Sequence, residues 1–285
     1  MLIDLHAHSL ASDGTDTPTQ LVVEAARVGL DVLAITDHDT TDGWAEAASA
    51  AGERGIILVR GIEVSCGAAS ADRLASVHLL AYLPDPDDAP LVREMTLTRD
   101  SRERRAERIV EALARDVNIA YEDVLAQLEP GATVGRPHIA DALVARGVVA
   151  DRDEAFERYL YTGSPYYVSH YAPDAVDAVT LVLGAGGIPV LAHPFAWKRG
   201  PHLDESVIEE MAGAGLVGLE AHHPEHSGRA VARTLDLARG LGLLVTGSSD
   251  YHGAGKEQRL GARTTDPDAF AALLDRPHAT PVLAP

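Results

Sequence analysis

Cysteine is nearly absent from this chain of 285 residues. The single one, Cys66, excludes an internal disulfide and any cysteine-rich zinc site, and it reads as a small buried hydrophobe just past Glu63. Long apolar runs are missing as well. None approaches the roughly 20 residues that a bilayer-spanning helix needs, and the N-terminus enters a strand pattern rather than a signal peptide, so a cytoplasmic setting without membrane contact is expected. Basic residues are scarce: 24 Lys and Arg stand against 43 Asp and Glu, a formal charge of −19. That balance weighs against extended nucleic-acid binding, which draws its affinity from neutralising phosphates. A phosphate ester handled by so acidic a chain is expected to be small or short and to sit in a local, metal-filled cationic pocket. There is no internal repeat or low-complexity tract. The Gly184-Ala185-Gly186-Gly187 run lacks dinucleotide-fingerprint spacing and reads as a helix stop.

Histidine, by contrast, is placed in a pattern. In Asp4-Leu5-His6-Ala7-His8 the two imidazoles alternate at the end of a short apolar run, so on a strand both point to one face. Further polar groups follow apolar runs at intervals: Asp13, His38, Glu63, His78, His193, Asp250 and His252. Residues 31–35, 56–59, 188–191 and 243–246 read as buried parallel strands. Ligands at the carboxyl ends of successive strands describe the mouth of a β/α barrel.

Helices are expected at about residues 19–28 and 44–54, with Pro18 as a start and Gly29 and Gly55 as stops. Together with strands at 2–5, 32–35 and 56–59 they give βαβ rhythm. A proline and aspartate cluster at 84–88 ends it. From 91 to 167 the pattern is helical, with helices at about 121–128, 138–145 and 153–159, and alternation returns from about residue 173 with strands at 188–191, 216–220 and 243–246. The expected organisation is a discontinuous α/β barrel, residues 1–90 and 168–285, interrupted by an all-helical insertion or cap at 91–167.

Mixed imidazole and carboxylate ligands suit Mn²⁺, Fe or Zn²⁺, and about nine candidates imply more than one ion. Such a cluster generates a hydroxide near neutral pH and clamps a phosphate. Glu63 is the natural bridge, since a carboxylate offers one oxygen to each of two ions. Arg136 and His138, in Gly135-Arg136-Pro137-His138, sit where a loop enters a helix. Arg136 can grip a phosphate bidentately or serve as an ordinary helix-start arginine in a surface salt bridge. His222 and His223 follow another strand and can contact substrate or protonate a leaving group, one of them from farther away. Asp4 and Asp37 adjoin histidines and either orient them or are structural. His170, His202, His226 and His278 have no sequence partner and count as background. Arg99, Arg102, Arg104, Arg105 and Arg108 alternate with Glu103 and Glu107, the pattern of a solvated helix face; the less favoured reading is a guide for a polyanionic substrate.

As a set, Asp4-X-His6-X-His8, Ser12-Asp13-Gly14, Thr36-Asp37-His38-Asp39, Gly61-Ile62-Glu63, His78, Ala192-His193-Pro194 and Ser249-Asp250-Tyr251-His252 resemble the PHP family, named for polymerase and histidinol phosphatase. The resemblance implies a distorted seven-stranded β/α barrel with three metal ions at its mouth, Mn²⁺ favoured. One would be held by His6, His8, Glu63 and Asp250, a second by Glu63, His78 and His193, and a third by Asp13, His38 and His252. Asp13 followed by glycine, the helical insertion and the Glu-X-X-His-Pro segment resemble the free-standing nucleotide phosphoesterases of the family. The activity implied is removal of the 3′-phosphate from a nucleoside 3′,5′-bisphosphate by metal-bound hydroxide. The alternative is 5′–3′ exoribonuclease action on short oligonucleotides, with histidinol-phosphate phosphatase or a non-catalytic binding module behind it. Arg136, His193 and His223 would be catalytic, and Arg136, His138, His222 and His223 would touch substrate. No obligate protein partner is evident.

Overall fold

The computed structural model describes residues 1–70, 73–128, 134–196 and 203–284. Its first third builds β1 (Ile3–Asp4), α1 (Pro18–Val28), β2 (Val32–Ile35), α2 (Trp44–Arg54) and β3 (Ile57–Ser70). α1 starts where Thr17 and Gln20 form a reciprocal capping box ahead of Pro18, and it stops at Gly29, whose φ of 81° only glycine adopts without strain. α2 stops in the same way at Gly55. Leu21, Val22 and Ala25 of α1 and Ala47, Ala50 and Ala51 of α2 are the buried faces that lie on the sheet.

β4 (Arg73–Tyr82) then returns as a hairpin partner of β3, paired antiparallel over ten residues from Gly61–Tyr82 to Ser70–Arg73. The parallel-strand reading had no place for this strand, nor for the extension of β3 past Val59. The physical reason is the connection: two residues separate Ser70 from Arg73, and a parallel crossover needs a dozen or more. α3 (Ala89–Leu113), α4 (Tyr121–Leu125), α5 (Arg136–Ala145), α6 (Arg152–Ala155) with a π-turn over Phe156–Leu160, and α7 (Ala175–Gly184) follow. β5 (Ile188–Leu191), α8 (Glu205–Gly213), β6 (Gly218–His222), α9 (Gly228–Leu241), β7 (Leu244–Gly247) and α10 (Pro267–Leu274) complete the chain.

The seven strands form one sheet in chain order. β1, β2 and β3 run parallel, β4 is antiparallel to both neighbours, and β5, β6 and β7 run parallel. Past the ends of β1 and β7 a bridge joins Ala7 to Tyr251, with the His8 amide donating to the Tyr251 carbonyl at 2.8 Å. The sheet is thereby curled into a distorted, nearly closed barrel.

Alternation decides which side chains reach its interior. Leu33 and Ile35 of β2 pack outward with the helices, while Val32, Ala34, Val59, Leu80 and Val190 form an inner cluster that α10 joins through Phe270 and Leu273. Glu63 continues the inward parity of Val59, and His78 that of Leu80. A separate cluster, including Ile109, Leu113, Val124, Ile139 and Leu143, holds α3, α4 and α5 together. Among the described residues no helix is long and apolar enough to cross a membrane.

Candidate metal centre

His6 and His8 are buried at the end of β1 and aim at one point, as strand alternation requires: their Nε2 atoms stand 3.1 Å apart. Glu63 Oε2 lies 3.2 Å from the first and 3.1 Å from the second. Asp250 Oδ1 closes the group at 3.5 and 3.4 Å. The other Glu63 oxygen, Oε1, faces His78 Nδ1 at 2.7 Å and His193 Nε2 at 3.0 Å. Asp13 gathers a third set, with Oδ1 3.3 Å from His252 Nε2 and 3.6 Å from His8 Nδ1, and Oδ2 3.9 Å from His38 Nε2.

All nine expected metal residues therefore converge at one mouth of the barrel. His6, His8, Glu63 and Asp250 form one group able to hold an ion, His8, Asp13, His38 and His252 a second, and His38, Glu63 and His78 a third. Three details depart from the expected sets: His8 also borders the Asp13 group, His38 stands in the Glu63–His78 group with its Nδ1 3.3 Å from Glu63 Oε2, and His193, expected in that group, falls with His6 and Glu220 while keeping its contact with Glu63 Oε1.

The donors fit a cation. Glu63 Oε2 is buried within 3.3 Å of three imidazoles, those of His6, His8 and His38, yet it accepts no hydrogen bond, and Asp13 Oδ1 is in the same condition. Buried carboxylate oxygens carry a desolvation cost that a bound ion offsets. Burial opposes a charge on Glu63, but the imidazoles of His38, His78 and His6 outweigh it and hold the carboxyl well below its usual range. Asp13 behaves alike, its burial outweighed by His252 and His38. The backbone is strained here too. Asp39, His193 and Asp250 have positive φ (53°, 27° and 51°) at strand ends around the cluster, a conformation that non-glycine residues hold only when surrounding contacts fix it. Asp39 is fixed by the Ser65 amide and hydroxyl, each donating at 2.8 Å, and His193 by the hydrogen bond that its amide donates to Glu220 Oε2 at 2.9 Å.

Glu220 was missed by reading the sequence. It is fully buried on β6, and its Oε1 meets His6 Nδ1 at 3.1 Å and the Ser248 hydroxyl, while Oε2 takes the His193 amide. Although it could join His6 and His193 around an ion, both its oxygens are engaged, which suits a group that orients His6. The available signal was a carboxylate inside the apolar run of residues 216–221. Lys256 was missed as well; its Nζ lies 2.8 Å from Asp250 Oδ2.

The histidine pair after β6 separates. A register shift between Glu220 and His222 breaks the alternation, leaving His222 half-exposed while His223 is buried with Nε2 3.3 Å from Asp250 Oδ2. His226, read as background, supports this turn: its Nδ1 donates to the Ala221 carbonyl at 2.9 Å, and its ring lies 5.6 Å from that of His223. His278 is exposed, and His202 lies outside the described residues. His138 is buried with Nδ1 accepting from the Gly135 amide at 3.0 Å, and its pKa is lowered by burial against the pull of Asp13. Arg136 opens α5, donates to the Leu160 carbonyl at 2.8 Å and lies over the Phe156 ring. Asp37 accepts from the Ser9 amide and hydroxyl and from Ser12, and Asp4 from the amides of Ser249 and Gly261. Both aspartates mainly stitch loops rather than orient histidines.

An imidazole and carboxylate cluster at the mouth of a distorted α/β barrel defines a metal-dependent phosphoester hydrolase. The chain belongs to the PHP domain family, whose model matches residues 4–160. It is 36% identical over 265 residues to a 3′,5′-nucleoside bisphosphate phosphatase of Chromobacterium violaceum, covering 93% of this chain and 92% of the relative. It is 37% identical over 276 residues to a phosphoribosyl 1,2-cyclic phosphate 1,2-diphosphodiesterase of Eggerthella lenta, covering 92% and 99%. A 5′-3′ exoribonuclease of Haemophilus influenzae is 34% identical over 218 residues, 76% of this chain and 77% of the relative. A crystallised Bifidobacterium adolescentis protein, described only as a candidate metal-dependent phosphoesterase, superposes with a TM-score of 0.92 at 41% identity, covering 97% of this chain and 96% of its own.

Proposed function

We propose that this protein hydrolyses the 3′-phosphate of a nucleoside 3′,5′-bisphosphate. The observation that carries a phosphoester reading is the division of Glu63: one oxygen serves His6 and His8, the other His78 and His193. That is the arrangement of a carboxylate shared by neighbouring cations. The likeness to the C. violaceum phosphatase, spread over more than nine-tenths of both chains, supports the substrate.

We assign three divalent ions, Mn²⁺ favoured, to His6, His8, Glu63 and Asp250; to Glu63, His78 and His193; and to Asp13, His38 and His252. A neutral imidazole has one lone pair, so His8 serves the first ion through Nε2 and turns its Nδ1–H to Asp13 and Ser12. Bound ions of this kind lower the pKa of water and neutralise phosphoryl charge. The protein's own groups do the rest. Arg136 presents a planar fork to phosphoryl oxygens. His223 Nδ1 accepts from the Glu225 amide at 3.1 Å, which places the N–H of the neutral ring on Nε2, the nitrogen that faces the cluster and can hydrogen-bond the departing oxygen.

The test is product analysis with Mn²⁺-loaded protein and adenosine 3′,5′-bisphosphate, where 5′-AMP and phosphate are expected. A 5′-phosphorylated oligonucleotide and phosphoribosyl 1,2-cyclic phosphate run in parallel. Release of 5′-nucleotides from the oligonucleotide at a higher kcat/KM would replace this reading with the exoribonuclease one, which the H. influenzae relative supports. Faster opening of the cyclic ester would favour the diesterase seen in the E. lenta relative.

A further inference from the structure

Lysine is rare in this chain: two of the 24 basic residues, Lys198 and Lys256, are lysines. Lys198 lies outside the described residues, and Lys256 stands on an expected metal ligand. Its Nζ lies 2.8 Å from Asp250 Oδ2, nearer than His223 Nε2 at 3.3 Å. The other oxygen, Oδ1, faces the Nε2 atoms of His6 and His8 at 3.5 and 3.4 Å. Asp250 is therefore divided. One oxygen points into the group able to hold an ion, and the other already meets a cation of the protein's own. The Asp250 side chain is 1% exposed and that of Lys256 24%, so the ammonium reaches in from the solvent side.

The chain fixes Lys256 there from both ends of its loop. A 3₁₀ turn over Gly253–Gly255 precedes it. Gly253 has a φ of 65°, and a Cβ on it would collide with Thr15 Oγ1, so the close approach requires glycine. The Ala254 amide donates to that hydroxyl at 2.7 Å, and the Tyr251 hydroxyl donates to Asp16 at 2.7 Å, which ties the turn to the segment just after Asp13. Beyond Lys256, the Gly261 amide donates to Asp4 at 2.8 Å. An exposed ion pair between two flexible side chains contributes little. This one is pinned, and its carboxylate is among the groups gathered to hold a metal.

We propose that Lys256 is a positioning residue that shares Asp250 with a metal ion: it holds Oδ2, leaves Oδ1 alone for the ion bound with His6, His8 and Glu63, and so loosens the hold on that ion. This rests on the assignment of that ion in the proposed function, though not on which ester is hydrolysed. Two positive charges that share one carboxylate oppose each other, and an ammonium on Oδ2 keeps both oxygens from closing on one ion. Lysine suits this task better than arginine, because its ammonium is a compact point charge whereas a guanidinium fork engages both carboxylate oxygens. An ion that receives less carboxylate charge retains more of its own for phosphoryl oxygens and water.

The test titrates metal-stripped protein with Mn²⁺, by calorimetry and by competition with a chelator. Lys256→Met, which keeps most of the side chain's length and removes its charge, is expected to bind manganese at one site about 10-fold more tightly than the wild type, with the number of ions unchanged. Lys256→Gln should do the same, because its amide can still hydrogen-bond Oδ2 without a charge, and it keeps the test open if Lys256→Met fails to fold. Lys256→Arg, whose fork can take both oxygens, should bind manganese more weakly than the wild type. Affinity in the folded Met or Gln variant that equals or falls below the wild-type value overturns the inference, and a fall is what a merely bracing salt bridge would give. Wild-type protein that takes up no manganese removes the ion assignment and this inference together, whereas manganese uptake that the substitutions leave unchanged removes the inference alone.

Discussion

His6 Nδ1 and Glu220 Oε1 lie 3.1 Å apart, both fully buried, the first just past the end of β1 and the second on β6. This contact fixes which nitrogen of His6 is free to bind a metal: Nδ1 is occupied by the carboxylate, so Nε2 turns to Glu63 and Asp250. Burial disfavours a charge on Glu220, but His6 outweighs it and keeps the carboxyl ionised. Glu220→Gln retains the shape and removes the charge. Its manganese affinity is expected to fall about 10- to 100-fold, the usual effect of losing a carboxylate behind a metal-bound histidine. Chelator competition measures this, and an unchanged affinity would show that Glu220 does not tune His6.

The metal-free protein should be most stable near pH 6.5. His252 is driven down to about 4 by burial and by Lys256, so between pH 4 and the ordinary value of 6.5 the unfolded chain binds more protons and stability rises with pH. His8 behaves oppositely. Burial opposes its charge, but Asp250 and Glu63 outweigh this and push it up to about 9, so its contribution is complete below 6.5 and is lost as pH rises through about 9. Melting temperatures of chelator-treated protein across this range should trace a maximum. Metal loading should flatten or reverse the alkaline arm, because ligation requires neutral imidazoles and releases protons. A melting temperature of the metal-free protein that keeps climbing to pH 9 would contradict the protonated His8.

Arg136→Ala should lower kcat/KM for the nucleotide about 100-fold, the scale of removing one preorganised donor to a phosphoryl group. Arg136→Lys should recover only part, because an ammonium cannot reproduce the fork. Steady-state kinetics at low substrate concentration decide it. Full turnover in Arg136→Ala would confine this side chain to bracing Leu160 and Phe156, the contacts it makes in the folded protein.

Much of the metal centre was legible because a strand has a period of two. His6 and His8 needed only alternation, and Glu63 stands out as an acid closing an apolar run. Strand direction carries no such mark. Residues 73–82 are apolar enough for a strand, but their antiparallel course is set by the two-residue link at 71–72, and His78 was recognised without its strand. Glu220 escaped because its partners, His6 and Ser248, lie far away in sequence. Two arginines of α3 escaped for another reason. Arg102 and Arg105 turn inward, to Ser65 and to the Val168 carbonyl, yet they are interleaved with Glu103 and Glu107, which resembles a solvated face until helical spacing is followed three residues at a time.

The last contrast concerns neighbours. His223 is buried, with Nδ1 holding the Glu225 amide and Nε2 toward Asp250, whereas the shift after Glu220 leaves His222 half-exposed beside Gly247. If His223 donates to the leaving oxygen, His223→Asn should reduce kcat by about 100-fold or more. The loss should shrink for a substrate whose leaving group needs no proton, such as a nitrophenyl ester. His222→Asn should stay within about twofold of the wild type, as a substitution outside the cluster usually does. Comparing the two variants on both substrates separates proton donation from packing, because a packing defect would slow both esters alike. Equal losses in the two variants would mean that the β6 register shift does not select the functional histidine.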